Sequence, residues 1–328
     1  MPPHQQVTGA MKRVAPKRLA WLAVSLVSLG AVAWWAKGQH APKMPTNASG
    51  ASWLAASLAA YALALALRGW RWHRILLLAR VPHKRADAFW LMPVAYMGNT
   101  VLPLRGGEFL RISLLASRAT VRVREVLGTV IAERILDVAT LAVVFAVLTL
   151  SGVDGAPTGK IAAYIAAGLV LLAAAGLVGY LMLRRRGRFD SFEARARPYT
   201  SAARLFAHPA GIPLAGMSGL IWVLEGTTVM LVGRSLGIHL GLLAAMLTNV
   251  IASLASAIPA GPAFVGTYDG GILLGLHAAK MYGSDATGFL LLVRAVVFIP
   301  VTIVGLIVLV TRYGGLRRNR HASPAVET

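Results

Sequence analysis

A chain of 328 residues with 57% apolar and only 14% charged residues carries too little charge for a soluble protein of its size. Its mean hydropathy of +0.65 points instead to a polytopic membrane protein. The net charge is +21, but the basic residues stand between apolar runs, as membrane topology demands, so nucleic acid is not an expected partner.

The apolar runs have helical length, and alternating ten-residue strands do not recur, so the fold class is all-α. The chain has no cysteine, which excludes disulfides and thiolate chemistry. The histidines are scattered without a metal-binding spacing. No metal, cofactor or catalytic residue is expected.

Residues 1–18 form a basic tail, read as cytoplasmic. Leu19–Ala36 is an apolar run ending in Trp34-Trp35, read as a retained signal anchor rather than a cleaved signal peptide. Ser52–Leu67 opens the next helix. The following basic and aromatic segment, Arg68 to Arg85, reads as an amphipathic stretch at the headgroups.

Residues 86–117 cannot cross the bilayer as one span, because Arg118, Arg122 and Arg124 would then lie on the wrong side. A re-entrant hairpin resolves this. Asn99 precedes the break, Pro103 ends the first half-helix, and Gly106 and Gly107 allow a tight reversal. Glu125–Leu150 is a full crossing, Ile161–Leu183 returns, and the arginine-rich segment 184–209 marks the cytoplasm. Pro213–Gly233 crosses outward.

The apolar run 240–279 breaks at Pro259, Gly261 and Pro262, with Gly266 beyond. No lysine or arginine lies between Arg234 and Lys280, so it reads as a second hairpin entering from outside. Gly288–Thr311 crosses back, and 313–328 is a second basic cytoplasmic tail. The expectation is about six full transmembrane helices plus two re-entrant helical hairpins, both termini inside, with the membrane domain over 19–312.

The two triplets of helix, broken hairpin and helix run in opposite senses, which suggests an inverted repeat.

Charges inside lipid-length apolar sequence are costly and therefore functional candidates. Arg105, Glu108 and Arg111 crowd the start of a half-helix; the arginines offer planar phosphate contacts, with snorkelling to the surface the alternative for Arg111. Glu133, Arg134 and Asp137 share a face of the following helix, either as a polar path or as a buried ion cluster. Glu225 and Arg294 are lone charges in separate helices, either paired with each other across the bundle or part of the site. Asp269 faces a cavity or caps a helix.

The pattern Asn99, Pro103, Arg105, Gly107, Glu108, Arg111 resembles the transmembrane domain of the lysylphosphatidylglycerol synthase/flippase family. So do Glu133-Arg134 with Asp137, and Pro259, Pro262, Gly266, Thr267, although Asp269 stands where a glutamate is expected. The resemblance spans roughly residues 15–315.

It implies a multi-pass protein of the bacterial inner (cytoplasmic) membrane that moves a polar-headgroup lipid or phospholipid. The charged residues expected at the substrate are Arg105, Glu108, Arg111, Glu133, Arg134 and Asp137, joined by Glu225, Asp269 and Arg294. The soluble synthase domain is not expected here, since the sequence runs on for only some fifteen residues past the last helix. Expected partners are membrane lipids, anionic phospholipid among them, with a lipid-synthesis enzyme and a second copy of the chain as further candidates. A lipid-modifying enzyme, or a non-catalytic partner of a lipid or glycan synthesis enzyme, is the competing reading.

Overall fold

The computed structural model describes residues 44–102, 105–152, 211–257 and 262–314. The expected first helix Leu19–Ala36, the span Ile161–Leu183, the arginine-rich segment and both basic tails lie outside the described residues, as do Pro103, Pro259 and Gly261.

Eight α-helices occupy the described residues: α1 Ala48–Leu78, α2 Arg85–Val101, α3 Gly106–Ala119, α4 Val123–Leu150, α5 Gly211–Ser235, α6 Leu242–Ala255, α7 Thr267–Ala278 and α8 Gly283–Val308. A 3-10 turn, Pro262–Phe264, precedes α7, and α8 runs on through a wider π turn to Tyr313. No strand occurs among the described residues. By length and apolarity, α1, α5 and α8 with its extension are each able to cross a membrane. The protein is an all-α, multi-pass membrane protein.

The helix ends follow from local chemistry. Asn47 caps α1, its Oδ1 accepting from the Gly50 N–H at 2.6 Å. At the other end, Arg80 takes a left-handed φ of 54°, and the Val81 N–H reaches back to the Leu76 carbonyl. α1 is therefore longer than the sequence suggests. The segment read as an amphipathic headgroup stretch begins as its last three turns, and Arg68 and Arg71 are buried in it rather than exposed at an interface. The correction has a physical cause: both arginines find carboxylates on other helices, which sequence proximity does not reveal.

The two expected hairpins are present as α2–α3 and α6–α7, each an antiparallel pair. In the first, Gly107 sits so close to the Ala95 carbonyl that any Cβ would strike it. The Gly107 N–H donates to Asn99 Oδ1 at 3.0 Å. In the second, Gly271 packs against Ala252 and Gly275 against Thr248. Small residues let the backbones approach, as in membrane helix pairs generally.

The two halves repeat each other in detail. Glu225 follows Arg68 by 157 positions. The same interval carries Gly69 onto Gly226, the α1 closing bond Leu76–Val81 onto the α5 closing bond Gly233–Ile238, and the α2 cap Lys84 onto the α6 cap Gly241. Gly69 lies against the Cα of Phe89, and Gly226 lies in the same way against the Cα of Met246. Later in each half, the α3 closing bond Ala116–Val121 recurs as the α7 bond Leu276–Met281, and the caps Arg122 and Tyr282 follow at equal spacing.

α1 packs along α5 at the centre, and each half's hairpin reaches across to the other half's last helix. One apolar cluster gathers around Trp72, Leu91 and Leu115, and a second around Val232, Ile272 and Phe289.

Candidate functional site

Buried charges need partners, and here they find one another. Arg68 of α1 donates to Glu225 Oε1 through Nη2 at 2.6 Å and Nε at 3.2 Å, and its Nη1 stands 3.5 Å from Asp137 Oδ2. One turn on, Arg71 holds Asp137 Oδ1 at 2.7 Å and the Ser218 hydroxyl at 2.6 Å, with Glu133 at 3.5 Å. Arg111 of α3 lies between Glu108 at 2.7 Å and Glu133 at 3.1 Å, its guanidinium 4.7 Å from the Trp72 ring centroid. Arg134 of α4 reaches Glu133 at 2.8 Å and Asp137 at 3.3 Å, and approaches Glu108 at 3.7 Å.

Four arginines and four carboxylates from α1, α3, α4 and α5 thus form one charge-balanced network. Arg111 is 1% exposed, so it does not snorkel to a surface. The network it joins satisfies its charge inside the protein.

A cavity of about 200 Å³ abuts this network. Its charged walls are Arg68, Arg105, Glu108, Arg134, Asp137 and Glu225, and both halves contribute aromatic rings, among them Tyr61, Tyr96, Trp222, Phe264, Tyr268 and Phe298. Five of the nine charged residues singled out in the sequence therefore line it. Arg111 and Glu133 stand behind the wall in the network.

Asp269 and Arg294 do not line the cavity. They pair with each other, so the alternative in which Arg294 pairs with Glu225 is not the one formed. Glu225 is taken by Arg68, with Asn249 Nδ2 at 3.5 Å from its other oxygen. Asp269 also accepts the Gly266 N–H at 2.9 Å, so it caps α7 while holding Arg294, whose other arm donates to the Ala263 carbonyl at 3.1 Å. The pair echoes the first half: Glu108 and Asp269 are both third residues of their helices, and Arg134 and Arg294 both stand in the helix that follows.

Arg105 differs from the rest. It ends the first hairpin turn at φ 53°, immediately before α3. Its Nη2 donates to the Ser256 carbonyl of the second hairpin at 2.9 Å, and its guanidinium lies 5.4 Å from the Phe264 ring centroid. Phe264 is also left-handed, at φ 53°. Both hairpin tips therefore hold uncommon backbone where they touch, the kind of conformation that gathers at functional sites. Arg105 makes no ion pair with a carboxylate among the described residues. The cavity thus carries one arginine beyond the balanced set.

Pro262 opens the 3-10 turn and Gly266 caps α7 at φ 89°. No cluster of three or more metal-ligating side chains occurs among the described residues.

The residues the sequence reading missed are Arg68 and Arg71. They stand one turn apart at the end of an apolar run, a placement that a headgroup boundary shares.

The sequence model of the lysylphosphatidylglycerol synthase transmembrane region matches residues 19–305. Neither among curated proteins nor among solved structures does anything match the chain.

Proposed function

Because the chain belongs to the family of the lysylphosphatidylglycerol synthase transmembrane region, we propose that it is a lipid translocase of the bacterial inner membrane, moving a polar-headgroup lipid between leaflets. The observation that carries the reading is Arg105: a cavity-lining guanidinium without a carboxylate partner among the described residues, set where the two hairpin tips meet. A phosphate is the natural complement of such a group, since arginine's planar fork matches phosphate oxygens in charge and geometry.

The physical task is to take a charged headgroup through ~30 Å of hydrocarbon. A cavity walled by a fixed, charge-balanced network offers that headgroup polar contacts without leaving an unpaired buried charge behind when it departs. Arg105 and Arg134 would hold the phosphate. Glu108, Asp137 and Glu225 would keep the arginines in place and meet any cationic part of the headgroup. Arg111 and Glu133 would set the wall from behind. Asp269 and Arg294 would fix the second hairpin against α8.

The test is reconstitution in phosphatidylglycerol-containing liposomes, following a headgroup- or chain-labelled phospholipid between leaflets. Protein-dependent movement that Arg105→Ala abolishes is expected. Lipid turnover without movement would instead favour a lipid-modifying enzyme.

A further inference from the structure

The two halves share a plan, but they do not close the cavity in the same way. At the seam between α2 and α8, Gly305 lies against the Pro93 carbonyl and Met97, with no room for a side chain. The repeat register carries Gly305 onto Phe145 of α4 and Pro93 onto Val250 of α6. Phe145 is 2% exposed and belongs, with Val250, Trp222 and Met246, to one buried apolar cluster. A full aromatic ring thus stands between α4 and α6 where the other seam has a hydrogen atom.

The cavity lining shows where this leads. Nearly all of it is buried or half-buried; its exposed members are Val138 of α4 and Ala257 just past α6. Val138 is 50% exposed and lies one turn beyond Arg134 on the same face. Leu141, which is buried, and the half-buried Ser253 and Leu254 belong to the same lining. In the other half, Val138 corresponds to Phe298, whose ring packs edge-on against Tyr268 at 5.5 Å and under the Arg294 guanidinium. The equivalent mouth is plugged there.

From this asymmetry we infer that the cavity has a lateral mouth between α4 and the end of α6, and that the hydrocarbon tail of the bound lipid lies in it, over Val138, Leu141 and Leu254, while the headgroup faces Arg105 and Arg134. The inference rests on the proposal that the cavity takes a lipid headgroup. It adds which seam the tail uses: α4/α6, and not α2/α8. Charge and apolarity are graded along the path. Arg134, with a side chain one third exposed, stands at the threshold, and the aliphatic residues beyond it match an acyl or polyprenyl chain.

The experiment uses the full chain in phosphatidylglycerol vesicles doped with phosphatidylglycerol that carries a diazirine on one acyl chain. Cross-linked residues are mapped by mass spectrometry after illumination. Labelling is expected not only at exposed lipid-facing residues but at Leu141, Ser253 and Leu254. Val138→Trp, or Ala257→Trp if the former does not fold, should cut that interior labelling several-fold. Val143→Trp, on the same helix and 63% exposed, should leave it unchanged.

Interior labelling that is absent, or that persists in the plugged variants, overturns the inference, as does labelling concentrated between α2 and α8. The same vesicles report leaflet exchange separately. Failure of exchange with interior labelling intact would remove the translocase reading and leave the lateral mouth standing.

Discussion

Arg68 and Glu225 occupy the same position in the two halves of the fold and bind each other, Nη2 to Oε1, at 2.6 Å. The central helices α1 and α5 are thus tied by a pair made from the repeat itself. Both side chains are nearly buried, so removing one partner leaves the other charge uncompensated. Arg68→Ala and Glu225→Ala should each lower stability by about 3–5 kcal/mol. The exchange Arg68→Glu with Glu225→Arg should recover part of that loss. Thermal unfolding in detergent of the singles and the exchanged double measures it; an exchanged double no better than the worse single would show that the helix environments, not the pair, set the cost.

Glu133 stands between Arg71, Arg111 and Arg134 and is fully buried. Glu133→Gln should therefore destabilise strongly, because three guanidinium groups lose a shared anion. Adding Arg111→Met should restore stability in part, since replacing a buried ion pair by apolar groups is often near neutral. Unfolding midpoints of the single and double variants decide it, the expected coupling being about 1–3 kcal/mol.

Arg105 contributes little to the packed interior. Its loss removes one hydrogen bond, to Ser256, and one ring contact, to Phe264. Arg105→Ala should cost only about 1–2 kcal/mol. Lipid movement in vesicles should nevertheless fall to background, and Arg105→Lys should restore it only in part, since lysine lacks the planar fork. A large loss of stability with movement retained would reverse the roles assigned here.

Gly107→Ala places a Cβ against the Ala95 carbonyl inside the first hairpin. Overpacking of this kind costs about 1–3 kcal/mol where neighbours can shift, and more where, as here, the obstacle is backbone. The variant should fold poorly. Gly270→Ala, a glycine with open space around it in the second hairpin, is the matched control and should be nearly silent. Yield of monodisperse protein by size-exclusion chromatography compares the two.

Phe145→Ala tests the wedge between α4 and α6. Truncating a buried phenylalanine costs about 3–5 kcal/mol. A smaller measured loss would mean that α4 and α6 close on the gap, as α2 and α8 already do over Gly305. Denaturation in detergent gives the figure.

The order of elements was legible in the sequence because breaks and charges are local signals. Leu102 does end α2, and the second hairpin follows the same plan, but Gly106 and Gly107, read as the reversal, are already the first two residues of α3, and the left-handed turn residue is Arg105. The candidate site was legible in part for the same reason: Glu108, Arg134 and Asp137 stand in lipid-length apolar sequence, where a charge announces itself.

Arg68 and Arg71 did not announce themselves. They sit beside Arg74, Arg80 and Arg85, and a run of basic residues after an apolar stretch is what a headgroup boundary also looks like. Only the carboxylates of α4 and α5, brought close by folding, distinguish a buried arginine from a surface one. The pairing offered for Glu225 with Arg294 is not the one formed, for a related reason. Two lone charges invite pairing with each other, but Arg294 had Asp269 nearer to hand, and Glu225 lay against α1.

The even match of arginines and carboxylates around the cavity bears on time as well as on structure. A wall whose charges cancel casts little field into the space beside it, and only Arg105 adds to the attraction felt by a phosphate there. Such a well is shallow. For the lipid headgroup proposed above, the net pull would come from Arg105, with Arg134 a contact whose charge the neighbouring carboxylates already offset, so residence would be brief and release would demand little. A receptor would gain from a deeper well, whereas a carrier turns over faster without one.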